Sequence, residues 1–392
     1  MDYGKYLNDI ALDIKPSGIR KYFDVLQDMP NAISLGVGEP DFDTPYNVAA
    51  AGVRSINEGR TQYTSNAGLP KLRQAIAKYM AVRFGLTYSS DEIMVTVGAS
   101  EGIDLALRAI LNPADEVLVP EPSFVAYSPL VRMSGGVAVS VDCHEEDQFK
   151  LTAEAMEKAV TAKTKALVLP FPNNPTGAIM TKEDLEPIAE LVRKYDLLVI
   201  SDEIYAELTY GGKHYSVACL PDMWEHTIVL NGFSKAFAMT GWRLGYVCAP
   251  KPIRDVMLKI HQYSLMCAPT ASQYAGLEAM QSGLEDDYQS VESMRREYDM
   301  RRKYLVASLN EMGLTCFEPK GAFYAFPNVS ATGMDAETFV EALLKEQSLA
   351  VIPGSAFGKC GKDNVRISYA YSMDRIAEAM RRLRAFVNVH KR

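Results

Sequence analysis

The sequence predicts an α/β protein whose large domain has three layers, a mostly parallel sheet with helices on both faces, beside a smaller α+β domain. From Asp91 to Pro250, apolar strand candidates alternate with helical patterns. These strand candidates are continuous apolar runs, which is typical of parallel strands buried on both faces. From Leu314 the pattern changes to short strands and two helices. A chain of 392 residues is also too long for one compact core.

The large domain is predicted from the order of its strands and helices. Residues 46–84 look helical at both ends around the extended piece TQYTSNAGLP. The helices between the later strands begin at Ser100, Phe124, Thr152 and Lys182. The predicted strands are EIMVTV, EVLVP, VAVSV, KALVLPF, LLVIS, TIVLN and LGYVCAP.

The ends of the chain are predicted to form the smaller domain. A helix begins at Ser17, with apolar positions at Ile19, Phe23 and Leu26 on one face. After two helices that run through His261 and from Thr270 to Ser282, a long charged helix begins at Glu285. The strands GAFYAFP, LAVIP and NVRISYA follow, with helices from Asp335 and Met373. We therefore divide the chain into residues 1–45 (an arm and part of the small domain), 46–283 (the large domain) and 284–392 (the small domain).

Several polar residues follow the predicted strands directly, where ligands of parallel sheets bind. Gly98, Ala99 and Ser100 end one strand and open a helix, so their N–H groups and the helix dipole favour an anion. Asp202 follows the apolar run LLVIS, and a carboxylate there needs a partner. A protonated pyridine nitrogen is such a partner, although strand-end aspartates often cap helices instead.

The segment NGFSKAFAMTGWRLG places Lys235 in an irregular stretch between two apolar strands. Ser234 supplies a hydroxyl, Arg243 supplies a cation, and the small residues between them leave room for a phosphate. An amine beside a phosphate site suggests pyridoxal 5'-phosphate held as a Schiff base. The alternative is that Lys235 is an ordinary solvated lysine.

Composition excludes several classes of partner. The net charge of −8 argues against nucleic acid and anionic membranes. The N-terminal residues lack an apolar run of signal-peptide length, and no stretch approaches a membrane span, so we expect a cytoplasmic protein. The six cysteines form no CxxC pair and the five histidines have no HExxH spacing, so no metal site is expected.

The segment SKAFAMTGWRLGY resembles the cofactor-lysine motif of the class I and II aminotransferases, which are pyridoxal-phosphate enzymes of fold type I. The resemblance covers nearly the whole chain. Within the family, the sequence looks closest to the aromatic and aspartate aminotransferase branch. The other motifs occur in the family's order: GVGEPDFDTP, YTSNAGLPKLR, NNPTG, SDEIY, KGAFYAFP, VIPGSAFG and VRISYA.

The resemblance implies a role for each motif residue. Lys235 would hold the cofactor, Asp202 would pair with its pyridine nitrogen, and Phe124 would stack on the ring. Asn174 and Tyr205 would bond its phenolic oxygen. The cofactor phosphate would lie on Gly98, Ala99, Ser100, Ser234 and Arg243.

Substrate and partner residues follow from the same resemblance. Arg366, a cation inside an apolar strand, would clamp the substrate carboxylate; an internal Asp or Glu is the alternative partner. The backbone at Gly38 would face that carboxylate beside Asn174. Tyr63 would reach the cofactor phosphate of a second subunit, which implies a homodimer with shared sites.

The implied reaction is transamination of an L-amino acid with a 2-oxo acid, most simply 2-oxoglutarate. Ser100 stands where related enzymes for acidic substrates carry a basic residue, so the sequence favours aromatic or broad specificity. Ile14 and Ile19 would offer apolar surface to an aromatic side chain. Arg20 could still meet an acidic side chain. Two alternatives are enzymes, an aspartate aminotransferase and a cystathionine β-lyase-like enzyme. A third is a non-enzymatic binding role, as in regulators that join an aminotransferase-like domain to a DNA-binding segment, but we expect no room for such a segment in this chain.

Overall fold

A central sheet of seven strands organises the computed structural model, which describes residues 1, 3–16, 18, 19, 29 and 31–391. The predicted α/β fold is confirmed. The strands of the described residues are β1 (Ile33–Ser34), β2 (Ile93–Thr96), β3 (Glu116–Glu121), β4 (Val137–Asp142), β5 (Thr164–Leu169), β6 (Leu198–Asp202), β7 (Thr227–Gly232), β8 (Gly245–Cys248), β9 (Tyr324–Ala325), β10 (Leu349–Ala350), β11 (Ile352–Pro353) and β12 (Val365–Ser368).

The large sheet has the strand order β2, β8, β7, β6, β5, β3, β4. All of its neighbouring strands are parallel except that β8 runs antiparallel to both β2 and β7. In the β6–β7 register Asp202 lies opposite Leu230. The sheet is therefore mostly parallel, as predicted, and the carboxyl ends of β3, β5, β6 and β7 meet at one edge.

Helices cover both faces of this sheet. The α-helices of the described residues are α1 (Asp9–Asp13), α2 (Tyr46–Asn57), α3 (Pro70–Phe84), α4 (Gly98–Ile110), α5 (Tyr127–Met133), α6 (Ala153–Ala159), α7 (Lys182–Tyr195), α8 (Lys251–Ser264), α9 (Thr270–Asp286), α10 (Gln289–Met312), α11 (Ala336–Gln347) and α12 (Met373–His390). Single 3₁₀ turns occur at Gly4–Tyr6, Ser90–Glu92, Glu145–Asp147, Val217–Cys219, Ser330–Thr332, Gly354–Phe357 and Lys359–Gly361.

Side chains of one strand alternate between two apolar cores. Ile228 and Leu230 of β7 belong to a core that includes Ile103 of α4. Val229, between them, belongs to a second core that includes Phe233 and helices α3 and α9. Because successive strand residues point to opposite faces, this split places a helical layer on each side of the sheet.

Three predicted helix boundaries differ from the structure. The helices predicted from Ser100 and Phe124 begin at Gly98 and Tyr127. The charged helix predicted from Glu285 begins only at Gln289, since α9 continues to Asp286. Asp287 and Tyr288, which separate the two helices, both have positive φ, and the buried Tyr288 ring packs 5.2 Å from the ring of Tyr79. The chain turns here because an aromatic side chain enters the core.

Two small sheets lie beside the large one, and the first joins the N-terminal part of the chain to the C-terminal part. β1 pairs in parallel with β10, and β11, β12 and β9 form an antiparallel sheet in that order. The short strands predicted after Leu314 are thus present. Of the helix predicted from Ser17, residues 17, 20–28 and 30 lie outside the described residues, and Phe23 and Leu26 are among them. In the described part of the chain no helix combines the length and apolarity needed to span a bilayer.

The central strand core is expected to dominate stability. Val229→Ala removes two fully buried methyl groups and should lower the free energy of unfolding by about 2 to 3 kcal/mol. The matched change Val82→Ala, at a site 60% exposed on α3, should change it by less than about 0.5 kcal/mol. Urea-unfolding midpoints measure both. Equal shifts for the two variants would contradict this assignment of the core.

Candidate active site

A cavity of about 600 Å³ opens at the carboxyl edge of the large sheet. It brings together most of the residues singled out from the sequence. Of these, the cavity is lined by Gly38, Ala99, Ser100, Phe124, Asn174, Asp202, Tyr205, Ser234, Lys235, Arg243 and Arg366. Gly98 lies immediately behind Arg243. Tyr63 is 77% exposed and is not brought to this cavity within one chain.

Lys235 reaches the cavity from the turn that follows β7. Its Nζ donates a hydrogen bond of 2.6 Å to the carbonyl oxygen of Gly38 and lies 5.6 Å from the ring centres of Tyr205 and Phe323. Burial lowers the pKa of the Lys235 amine to about 8, although the charge of Glu39 opposes this shift. Near neutral pH a far larger fraction of this amine is therefore neutral and nucleophilic than of an ordinary lysine.

Asp202 is the last residue of β6 and is only 6% exposed. Its Oδ2 accepts a hydrogen bond of 2.8 Å from the hydroxyl of Tyr127, and its Oδ1 accepts one of 3.2 Å from the backbone N–H of Ile204. Burial raises the pKa of Asp202, and these hydrogen bonds only partly oppose it. Among the described residues no cation forms an ion pair with this carboxylate, so a cationic group in the cavity would stabilise it.

The N-terminus of α4 forms an anion site at the cavity wall. Val97, the residue before α4, makes no side-chain hydrogen bond that caps this helix. The N–H groups of the first turn of α4 are therefore available to an anion. Ser234 and Arg243 border the same part of the cavity. Gly98 has a φ of 75°, and a Cβ there would lie 2.6 Å from Nη2 of Arg243. Glycine is therefore needed to let this cation approach the helix.

Arg366 lies in β12 and is 3% exposed. Its Nη1 donates to Oδ1 of Asn174 at 2.8 Å, and its Nη2 donates to the carbonyl oxygen of Gly36 at 2.5 Å. The rings of Tyr324 and Phe357 lie 4.6 and 4.8 Å from the guanidinium carbon. Its Nε is buried without a hydrogen-bond partner, and no carboxylate in the described ranges pairs with it. The internal Asp or Glu considered from the sequence is therefore absent from the described residues.

Asn174 is free to point into the cavity because its neighbour stabilises the turn. Oδ1 of Asn173 accepts hydrogen bonds from the backbone N–H and the hydroxyl of Thr176, at 3.2 and 3.0 Å. Asn173 thus binds the local backbone of this turn, and Asn174 does not need to do so. The Asn174 amide contacts Arg366 instead.

Gly36 and Gly38 are needed for space and not for backbone conformation. Neither glycine has a positive φ. A Cβ at Gly36 would lie 2.9 Å from Cδ1 of Ile352, and a Cβ at Gly38 would lie 2.4 Å from the hydroxyl of Tyr324. The constraint is therefore side-chain space, which depends on residues more than 280 positions away.

The cavity residues that sequence reasoning missed include Tyr127, Tyr324 and Glu39. Tyr324 bonds the hydroxyl of Tyr205 at 2.9 Å, and Tyr127 packs edge-on to Phe124 as well as binding Asp202. Tyr127 and Glu39 lie close in sequence to Phe124 and Gly38, which were singled out. The available signal was that Tyr324 and Glu39 belong to the motifs KGAFYAFP and GVGEPDFDTP.

Comparisons with known proteins show similarity to aminotransferases over nearly the whole chain. A family model described as aminotransferase class I and II matches residues 30–383. An aspartate aminotransferase of Pyrococcus abyssi is 47% identical over 94% of this chain and 95% of its own length. Aromatic-amino-acid aminotransferase 2 of Thermococcus litoralis is 45% identical over 96% of this chain and 97% of its own length. The solved aromatic aminotransferase from Pyrococcus horikoshii matches with a TM-score of 0.89 at 46% identity, over 94% of this chain and 99% of that one. The resemblance drawn from the motifs is confirmed, and the chain belongs to the class I and II aminotransferase family.

Proposed function

We propose that this aminotransferase uses pyridoxal 5'-phosphate to move an amino group from an L-amino acid, aromatic or of broad type, to 2-oxoglutarate in two half-reactions. The observation that carries the proposal is the convergence of Lys235, Asp202 and Arg366 on one cavity. Three groups lie together there: an amine whose pKa is lowered, a buried carboxylate and a buried guanidinium. Among the described residues, neither the carboxylate nor the guanidinium has an ion-pair partner.

The residues of the cavity fit this cofactor in size and charge. The uncapped start of α4, with Ser234 and Arg243, suits a phosphate. Asp202 suits a protonated pyridine nitrogen, and Phe124 offers a ring for stacking. Asn174 and Tyr205 offer polar groups to the phenolic oxygen. When bound, the cofactor supplies an electron sink for the electron pair left by removal of the substrate's α proton.

Lys235 has two tasks in this proposal. Its neutral amine attaches the cofactor, and after the substrate amine displaces it, the same Nζ carries the α proton. The amine must be uncharged for both tasks, which is consistent with the pKa of about 8 caused by burial. The hydrogen bond to Gly38 holds the amine at the cavity floor.

Arg366 is proposed to bind the substrate α-carboxylate. Its side chain is held between two rings and by two neutral acceptors, so its orientation is fixed before substrate arrives. A carboxylate would supply the negative charge that the described residues do not provide. Orientation of the substrate in this way contributes to catalysis by proximity.

We also propose a homodimer with shared active sites. Large hydrophobic side chains are exposed on one chain, including Tyr63 at 77%, Tyr46 at 89% and Tyr263 at 88%. Such exposure supports burial against a second copy. Tyr63 does not reach the cavity of its own chain, and in the dimer it would complete the phosphate site of the second copy. The cytoplasmic location stays a prediction.

Specificity is proposed to favour aromatic over acidic side chains. The cavity wall carries Ile19, Ile103 and Phe124. Its described cations are Lys235, Arg243 and Arg366, each of which already has a proposed role. Ser100 adds only a hydroxyl, and Arg20 lies outside the described residues. The relatives include both an aspartate and an aromatic-amino-acid aminotransferase, so aspartate remains the second candidate donor.

Lys235→Ala tests the cofactor assignment. The variant should fold, but it should neither hold pyridoxal phosphate covalently nor transaminate. The matched surface variant Lys259→Ala should hold the cofactor covalently and transaminate like the parent. In the parent apoenzyme, the rate of cofactor capture should rise with pH and level off above about 8, because only the neutral amine reacts. Covalent capture by Lys235→Ala, or a midpoint near the ordinary lysine value of about 10.4, would contradict the assignment.

Asp202→Asn tests the pairing with the pyridine nitrogen. Turnover should fall by several orders of magnitude with cofactor still bound, since one ion pair in a buried site controls about 3 to 5 kcal/mol. The exposed change Asp374→Asn serves as the control. Steady-state kinetics with a fixed oxo acid measure the effect, and near-normal turnover would exclude this role for Asp202.

Amino-donor kinetics test the specificity. With 2-oxoglutarate fixed, kcat/KM for phenylalanine and tyrosine should equal or exceed that for aspartate, because a buried aromatic ring gains a few kcal/mol from apolar contact. A preference for aspartate of about tenfold, or roughly 1.4 kcal/mol, would show that the second candidate donor is the right one.

A further inference from the structure

The helix that begins at the proposed phosphate site carries a buried carboxylate, that of Glu101. This residue lies in the first turn of α4, and its side chain is 9% exposed. Its Oε2 accepts a hydrogen bond of 2.5 Å from the backbone N–H of Val97, the residue before the helix. Its Oε1 is bonded at 2.6 Å to Nδ1 of His261, a fully buried residue of α8. The carboxylate therefore joins the start of α4 to a neighbouring helix.

We propose that Glu101 and His261 are a positioning pair that holds the first turn of α4 in the shape that binds the cofactor phosphate. Ala99 and Ser100 of this turn line the cavity, whereas neither member of the pair does. The pair therefore acts on the phosphate through the backbone between Val97 and Ser100. The inference rests on the proposed role of this turn as the phosphate site.

The hydrogen bond to Val97 fixes the residue from which the turn begins. A carboxylate of the first helical turn that reaches back to the backbone N–H of the residue before the helix makes one half of a capping box. The other half would need a side-chain oxygen on the residue before the helix, and valine has none. Glu101 thus holds Val97 in place, while the N–H groups of the first turn stay free for an anion.

The rest of the turn is held from two other sides. The hydroxyl of the buried Thr96 donates to the carbonyl oxygen of Gly98 at 2.9 Å. A Cβ at Gly245 of β8 would lie 2.5 Å from the carbonyl carbon of Gly98, so the adjacent strand packs directly against the backbone of the turn. These contacts hold Gly98, whereas Glu101 holds the N–H of Val97. Loss of Glu101 should therefore shift the turn locally and leave α4 folded.

His261 keeps the side chain of Glu101 in its place. The Nε2 atom of His261 has no hydrogen-bond partner among the described residues, so the polar contact that its ring makes there is the one with Glu101. Helix α8, which carries His261, packs along α4. A long side chain such as glutamate loses rotamer freedom on burial, and an anchor on a second rigid helix offsets part of that cost. The carboxylate is thus fixed at both of its oxygens.

The sign of the effect separates positioning from charge. A carboxylate near an anion site repels a phosphate, so its removal would strengthen phosphate binding if charge dominated. If the two hydrogen bonds dominate, its removal weakens phosphate binding, because the N–H groups of the turn no longer converge on one point. Glutamine offers an oxygen to the N–H of Val97 and an amide N–H to Nδ1 of His261, so it should preserve the turn.

The test compares pyridoxal 5'-phosphate with pyridoxal, which lacks the phosphate, as ligands of the apoenzyme. In Glu101→Ala the Kd of pyridoxal 5'-phosphate should rise about tenfold, the scale of one hydrogen bond to a charged group, while that of pyridoxal should change by less than about twofold. His261→Leu should show a selective loss in the same direction, and Glu101→Gln should resemble the parent. Absorbance titrations measure each Kd.

Asp104→Ala is the matched control for the loss of a carboxylate. Asp104 lies one turn further along α4 and pairs with Arg108 at 3.4 Å, without a bond to the turn. This variant should change neither Kd, because it removes a negative charge from the same helix and leaves the bond between Glu101 and Val97 intact.

The outcomes separate this inference from the proposed function. A parent apoenzyme that binds both ligands equally well would overturn the proposed phosphate site itself. A parent that prefers pyridoxal 5'-phosphate, with that preference unchanged or increased in Glu101→Ala or His261→Leu, would overturn only the role of the pair. So would an equal loss of both ligands, or an alanine-like loss in Glu101→Gln.

Glu101→Asp replaces either variant that does not accumulate as folded protein. Aspartate keeps the charge, but its side chain is one methylene too short to reach both Val97 and His261. The same selective loss of affinity for pyridoxal 5'-phosphate is expected, and an unchanged preference would overturn the role of the pair.

Discussion

The burial of ionisable groups without ion-pair partners is the constraint on which the rest of this structure depends. Asp202 and Arg366 are almost completely buried, and the described residues provide neither with an opposite charge at ion-pair distance. Desolvation of a charge is costly unless other groups offset it. Here the offset comes from neutral donors and acceptors, such as Tyr127 and Asn174, which hold the charges in place without neutralising them. The cavity is thus prepared for charges that a bound molecule brings.

The parallel sheet makes this arrangement possible. Strands buried on both faces are fixed by two apolar cores, so their carboxyl ends are rigid points from which polar side chains project. Asp202 ends β6, and Lys235 follows β7, the adjacent strand. Arg366 comes from a different, antiparallel sheet. The site therefore needs the C-terminal strands to close against the large sheet, and no single segment contains it.

Local sequence was informative where a residue's reason lies in its own segment. Lys235 and Asp202 stand out because charged residues beside apolar strands are costly, and the fold class followed from strand and helix alternation. Gly38 was singled out, but its reason was not local, since the hydroxyl of Tyr324 occupies the space of a side chain there. The boundary at Tyr288 was missed for the same reason, because burial against Tyr79 overrides the helical pattern of the charged segment.

Strand geometry also explains why two adjacent carboxylates can have different environments. Successive residues at the end of a strand point to opposite faces, so Asp202 enters the large cavity while Glu203 turns toward Ser216 and His214. The two charges remain close enough for one to affect the proton affinity of the other. The Asp-Glu sequence at the end of β6 thus places one carboxylate in the cavity and the next in a separate buried polar cluster.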